Sequence, residues 1–186
     1  MARGESNGEL VARARAGDPG ACEFLVRRHL RAGYAVALSV VRDPIEAEDV
    51  AQDAFALAFE RLDDCREPER FAGWLLQIVR NQAFTALERK RVRGPTLDPA
   101  AGPELGAWGP AEHVHLRARL LSALATLPAV QREVVLLHDL EGWTHPEIAN
   151  ALELSELMSR QHLFHARKAL RSFLGAGARL EDTRGP

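Results

Sequence analysis

Between Arg93 and Pro110, eight of eighteen residues are proline or glycine: Gly94, Pro95, Pro99, Gly102, Pro103, Gly106, Gly109 and Pro110. Each proline removes a backbone donor, and each glycine adds conformational freedom that folding must take away. No packed element is expected to run through such a stretch, so it divides the chain. The division predicts two small domains, 1–92 and 112–186, with 93–111 as a flexible linker.

The flanking segments read as helices. Asp18-Pro19, Asp43-Pro44 and Glu67-Pro68 each set an acid before a proline. Proline costs nothing at a first helical position, where its missing N–H would have had no partner. Asp43 with Glu46 forms a capping-box-like pair. After it, Ile45, Val50, Ala54, Leu57, Ala58 and Leu62 recur at helical spacing, and Phe71, Trp74, Leu75, Ile78 and Val79 mark one face of the next helix. No useful length alternates with period two. The fold class is therefore all-α.

Beyond the linker, Leu116, Leu120, Leu121, Leu124 and Leu127 line an amphipathic helix. Pro128 opens another, which Gly142 is expected to close. Thr144 and Glu147 form a capping box before a short helix holding Ile148, Ala149 and Leu152. A turn at Glu153–Ser155 then leads into a longer helix ending near Gly175. Short helix, tight turn and longer basic helix make a helix-turn-helix, the alternative being a plain helical hairpin.

The 186 residues hold 24 Lys+Arg and 26 Asp+Glu, a net charge of −2 that taken as a sum disfavours a polyanionic partner. The sum conceals segregation. Residues 43–69 hold ten acids and two bases; residues 80–93 hold five bases and one acid. Residues 155–171 hold Arg160, Arg167, Lys168 and Arg171 against Glu156, with His162 and His165. Two basic segments, one of them on the second helix of a helix-turn-helix, favour nucleic acid.

Other classes fall away. The most apolar run, Ala35 to Val41, is broken by Ser39 and far too short for membrane insertion. The N-terminus lacks an apolar signal region, and Cys22 and Cys65 read as free thiols of a reducing compartment, so a cytoplasmic protein is expected. His113 with His115, and His162 with His165, gather no fourfold metal set. His138-Asp139 suggests a dyad, but no nucleophile or phosphate loop accompanies it. No metal, cofactor or catalytic residue is expected. The chain stops at Pro186, soon after the last helix, which predicts no additional C-terminal regulatory domain.

The stretches DPIEAEDVAQDAFALAFERL (43–62) and FAGWLLQIVRNQAFTALERKRVR (71–93) resemble the second domain of the extracytoplasmic-function sigma factors of bacterial RNA polymerase. LATLPAVQREVVLLHDLEGWTHPEIANAL (124–152), with HARKALR (165–171), resembles their fourth domain. The resemblance implies a protein that binds core RNA polymerase, directs it to promoter DNA and helps open the duplex. It implies polymerase contacts at Glu48, Asp49, Gln52, Asp53 and Phe55. It implies minus-ten contacts at Arg80, Asn81, Arg89, Lys90 and Arg91, with the loop near Asp63–Arg70 forming a pocket for an unstacked base. Trp74 and Phe84 invite stacking there, although Trp74 shares its face with Leu75 and Ile78 and so reads as core. Minus-thirty-five contacts would fall to Ser155, Arg160, Gln161, His162, His165 and Arg167. The linker, mildly acidic at Asp98 and Glu104 and carrying Leu105 and Trp108, would thread the polymerase channels. A cognate anti-sigma factor is a further implied partner.

The chain departs from the family at several positions. Thr85 stands where Asp is usual. Glu153 replaces a turn glycine, Leu157-Met158-Ser159 replaces Gly-Thr-Val, and His162 replaces an arginine. Glu153 needs a positive φ if the turn keeps its shape. Either Ser155 or Ser159 can cap the recognition helix. Ser155 is preferred, because Leu163, Ala166, Leu170 and Phe173 then continue the packing stripe. The altered segment keeps two alternatives open, a sigma-like decoy that binds polymerase without reading promoters and an independent helix-turn-helix regulator. The cancelling charges predict weak DNA binding by the free chain.

Overall fold

The computed structural model describes residues 5–93 and 111–182. The linker residues 94–110, with Asp98, Glu104, Leu105 and Trp108, lie outside the described residues, as do the side chains of His113 and His115. Among the described residues the regular structure is entirely helical.

The N-terminal domain comprises α1 (Asn7–Arg15), α2 (Pro19–Val41), α3 (Pro44–Glu60) and α4 (Phe71–Arg93). Ser6 and Glu9 close a reciprocal capping box on α1, and Asp18 caps α2 by accepting from the amides of Gly20 and Ala21. Asp43 caps α3 in the same way, at 3.0 and 3.2 Å from Ile45 and Glu46. The expected reciprocal half of that box is absent, because the Glu46 carboxylate accepts instead from Lys90 Nζ at 2.7 Å. Glu67 makes no cap; Pro68 starts a single 3-10 turn, Pro68–Arg70, that leads into α4. Leu10, Val11, Leu25, Val36, Phe71, Leu75, Leu76 and Val79 fill the core between these helices. At Gly33, α2 passes so close to α3 that a Cβ would lie 3.1 Å from Phe55 Cε2.

The C-terminal domain comprises α5 (Ala111–Ala125), α6 (Ala129–Val135), α7 (His145–Leu152) and α8 (Glu156–Asp182). Arg132, fully buried, donates to the carbonyls of Leu124 and Leu127 at 2.7 and 2.6 Å, satisfying the end of α5. The helix opened by Pro128 does not stay α-helical to Gly142. It widens into a π-turn, Leu136–Leu140, and the Trp143 amide then reaches back to the Leu137 carbonyl across Gly142 at φ +72°. Thr144 and Glu147 form the expected capping box on α7. α8 does not stop near Gly175 but runs on to Asp182, since Gly175 keeps a helical φ.

The domains meet. α7 packs on α4, while α6 and its π-turn pack on α2.

Candidate functional site

On α3, residues three and four apart share a face. Glu48, Asp49, Gln52 and Asp53 are exposed there together, and Gln52 donates to Glu48 at 3.4 Å. Phe55 departs from the expectation of a contact residue. It is buried against Gly33 and Phe59, so its ring packs α3 onto α2. Beside the acidic face lies an apolar groove of about 400 Å³, lined by Leu30, Tyr34 and Ala51 and walled on its far side by Leu140 and Glu141.

The basic segment of α4 is less free than its charge suggests. Arg80 is held by Glu133 of the C-terminal domain, and Lys90 lies against Glu46 and Asp43. Arg91 faces Glu88 at 3.7 Å, whereas Asn81 and Arg89 are exposed. The segment 64–70, α4 and the end of α7 line a cavity of about 360 Å³, with Arg66, Arg70, Trp74 and Gln77 on one side and Asn150 and Glu153 on the other. Trp74 serves both readings: its ring packs 5.9 Å from Phe71, and it also lines this cavity. Phe84 is exposed.

In the helix-turn-helix, Glu153 adopts φ 55°, ψ 42°, the left-handed conformation the turn requires. Ser155 caps α8, its Oγ accepting from the Met158 amide at 3.1 Å. Ser159 is no cap; it is fully buried and hydrogen-bonded to His145 Nδ1 at 2.9 Å. That bond joins the start of α7 to the first turn of α8. Leu163 and Ala166 continue the buried stripe and Leu170 is half-buried, but Phe173 is largely exposed.

Arg160 and Gln161 point outward on α8, Arg160 pairing with Glu156 at 3.3 Å. His165 is exposed, its ring edge-on to Phe164, whereas His162 is half-buried. Arg167 is engaged inside the domain, donating to both oxygens of Asp139 at 3.0 and 2.5 Å. This guanidinium, with His138 at 2.9 Å, holds the Asp139 carboxyl below its usual range. The His138-Asp139 pair is thus part of a clamp between the π-turn and α8. Burial first, and His138 second, pull the His145 pKa below its ordinary value.

Phe164 escaped the sequence reading, and Leu157, expected with Met158 to fill the space of a buried valine, is instead exposed, as Met158 is. Leu157 and Phe164 are 64% and 65% exposed and share the outward face with Arg160, Gln161 and Lys168. The signal was available, since apolar residues seven apart opposite the packing stripe have no core to fill.

Known proteins share these features. Residues 25–93 match the Sigma-70 region 2 family and residues 117–170 the Sigma-70, region 4 family. RNA polymerase sigma factor CnrH of Cupriavidus metallidurans is 32% identical over 178 residues, covering 90% of this chain and 93% of its own. ECF RNA polymerase sigma factor SigM of Mycobacterium tuberculosis is 30% identical, covering 91% and 85%. The probable RNA polymerase sigma factor RfaY of Xanthomonas campestris is 35% identical, but only 37% of that longer protein is matched. Among solved structures, CnrH in complex with the cytosolic domain of CnrY superimposes with a TM-score of 0.68 at 29% identity, over 92% of this chain and 99% of that one. RpoE of Bartonella quintana, bound to the anti-sigma factor NepR, gives 0.60 at 26% identity, over 82% and 96%. Two matched regions in family order, an acidic helix face and a capped helix-turn-helix lead to one assignment. The chain belongs to the extracytoplasmic-function sigma factors of the sigma-70 family.

Proposed function

We propose that this sigma factor divides its work among three helical surfaces. Glu48, Asp49, Gln52 and Asp53 on α3 dock a basic surface of core RNA polymerase. The cavity beside Trp74 receives an unstacked base of the minus-ten element, with Arg80, Asn81, Arg89, Lys90 and Arg91 on the adjoining phosphates. The outward face of α8 enters the major groove at the minus-thirty-five element. There Arg160 suits guanine, Gln161 suits adenine, and Leu157 and Phe164 suit thymine methyl groups. His165 borders that face, while Ser155, His162 and Arg167 support the helix. The protein supplies specificity and leaves RNA synthesis to the polymerase, in the cytoplasm where polymerase works. A cognate anti-sigma factor is a further partner, as the anti-sigma factor NepR is for RpoE in one neighbour, while CnrH in the other is bound to the cytosolic domain of CnrY.

The carrying observation is the exposed quartet on α3 in one chain with a recognition helix whose first turn is capped by Ser155. Runoff transcription with purified core polymerase tests the reading on a promoter selected from genomic DNA. A specific start is expected, and the combined Arg160→Ala and Gln161→Ala changes weaken it about tenfold or more through lost base contacts. Core binding without a transcript marks a decoy instead. Tight duplex binding without core binding marks an independent regulator.

A further inference from the structure

Leu157 and Phe164 hold two of the most exposed large apolar side chains among the described residues, at 64% and 65%. At 3.6 residues per turn, positions seven apart point within about 20° of each other. Both therefore stand opposite the buried and half-buried stripe of Ser159, Leu163, Ala166 and Leu170. Packing has no use for them there, and water gains nothing from an apolar side chain. Phe164 is also steadied, its ring edge-on to His165 at 5.5 Å between centroids. The frame around the pair is cationic. Arg160, Lys168 and Arg171 are exposed on the same side of α8, and Glu156 is engaged by Arg160 at 3.3 Å. A charged frame of this kind suits a polyanion better than the apolar centre of a protein interface.

On the sigma-factor reading that polyanion is duplex DNA, with α8 in the major groove. Base edges there present donors and acceptors, and covering one with hydrocarbon leaves it without a partner, at a cost. The apolar feature of the groove is the C5-methyl group of thymine. Leu157 and Phe164 lie about 10.5 Å apart along the axis of α8, the length of about three base-pair steps. Arg160 and Gln161 fall between them, where each can bond a purine. The helix is thus patterned for two methyl groups bracketing hydrogen-bonded purines.

We propose that α8 reads pyrimidine C5-methyl groups as such, Leu157 covering one and Phe164 another about three base pairs away, on either strand. This rests on the minus-thirty-five reading of α8 and adds the chemical group recognised. Neither side chain has a donor or acceptor for the neighbouring exocyclic atom, O4 in thymine or N4 in cytosine. 5-Methylcytosine therefore serves at these positions as thymine does, and unmodified cytosine does not. Initiation by this chain is then sensitive to the methylation of its promoter.

The test is runoff transcription by core polymerase with the full chain, on synthetic versions of a promoter selected from genomic DNA. The selected element should hold two thymines about three steps apart, and an element without such a pair overturns the proposal. Deoxyuridine in their place removes two methyl groups and keeps every donor and acceptor. At limiting polymerase, initiation should fall about fourfold for one replacement and about fifteenfold for both. The same factors are expected between 5-methylcytosine and unmodified cytosine at those positions. The combined Leu157→Ala and Phe164→Ala changes, both at exposed positions, should make initiation alike on thymine and deoxyuridine templates. A merely structural role would weaken every template equally and leave the preference intact. Equal wild-type initiation on thymine and deoxyuridine overturns the proposal, as does a methyl preference that the double variant retains. Failure of the double variant to co-purify with core polymerase overturns it too, by marking the face as a protein-docking surface. If the wild type gives no specific transcript from any template, the sigma-factor reading falls and this inference with it. A specific transcript indifferent to methyl groups removes this inference alone.

Discussion

Glu153 ends α7 with its backbone at φ 55°, where a side chain crowds its own carbonyl and glycine does not. Nothing in the turn relieves this, so Glu153→Gly should stabilise the protein by about 0.5–1 kcal/mol, net of the greater freedom glycine gives the unfolded chain. Urea midpoints read the change. His29 makes an opposite case, a polar group placed deep by packing. Its ring lies 5.6 Å from Phe71 and its Nε2 is 3.1 Å from Asn7 Oδ1. Burial first, and Arg28 second, lower its pKa from 6.5 to about 4. The unfolded imidazole takes up its proton near pH 6.5 while the folded one resists until about 4. Stability from this group is therefore full above pH 6.5 and is lost as pH falls toward 4, by about 3 kcal/mol in all. His29→Gln should flatten that slope in unfolding measurements from about pH 7 to about pH 4.5.

At the scale of elements, the recognition helix is oriented by polar contacts at both ends of its buried face, Ser159 with His145 and Arg167 with Asp139. Arg167→Ala and Asp139→Ala should each cost about 0.5–1 kcal/mol, and the double variant little more than either alone, since both remove one partly exposed pair. A double-mutant cycle on thermal unfolding reads this coupling. Full additivity would return Arg167 to the set of free DNA contacts. Helix starts were legible in the sequence because caps are local: Asp18, Asp43, Thr144 and Ser155 announce themselves within three residues. The diversion of Glu46 to Lys90 was not, because its partner is 44 residues away. Nor was the π-turn, since its extra residue keeps the apolar pattern of α6 while shifting where Leu140 and Glu141 point. Ser159 was flagged as a departure, but only the fold supplies His145 as the reason. Phe55 sat both within the pattern that the resemblance ties to polymerase and at core spacing, and the tight passage at Gly33 gives it a packing role.

At the scale of the whole molecule, charge segregation sorts into surfaces as expected, but the surfaces are not all available together. The acidic face of α3 is open, whereas the basic run of α4 is partly neutralised by Glu46, Asp43 and Glu133. These pairs add a structural reason, beyond net charge, to expect weak DNA binding by the free chain. The seam holding α4 against α7 has a kinetic and statistical side as well. Seventeen residues, 94–110, join the domains and can reach at most about 60 Å, so each domain is presented to the other at an effective concentration in the millimolar range. A contact far too feeble to unite separate molecules at cellular dilution is nearly saturated under that condition. Doubling the tether should dilute the contact about threefold with no residue of the seam altered, which small-angle X-ray scattering of the full chain reads as a larger mean radius. The length of the proline- and glycine-rich segment is then a setting in its own right, fixing how large a share of molecules hold the two domains together.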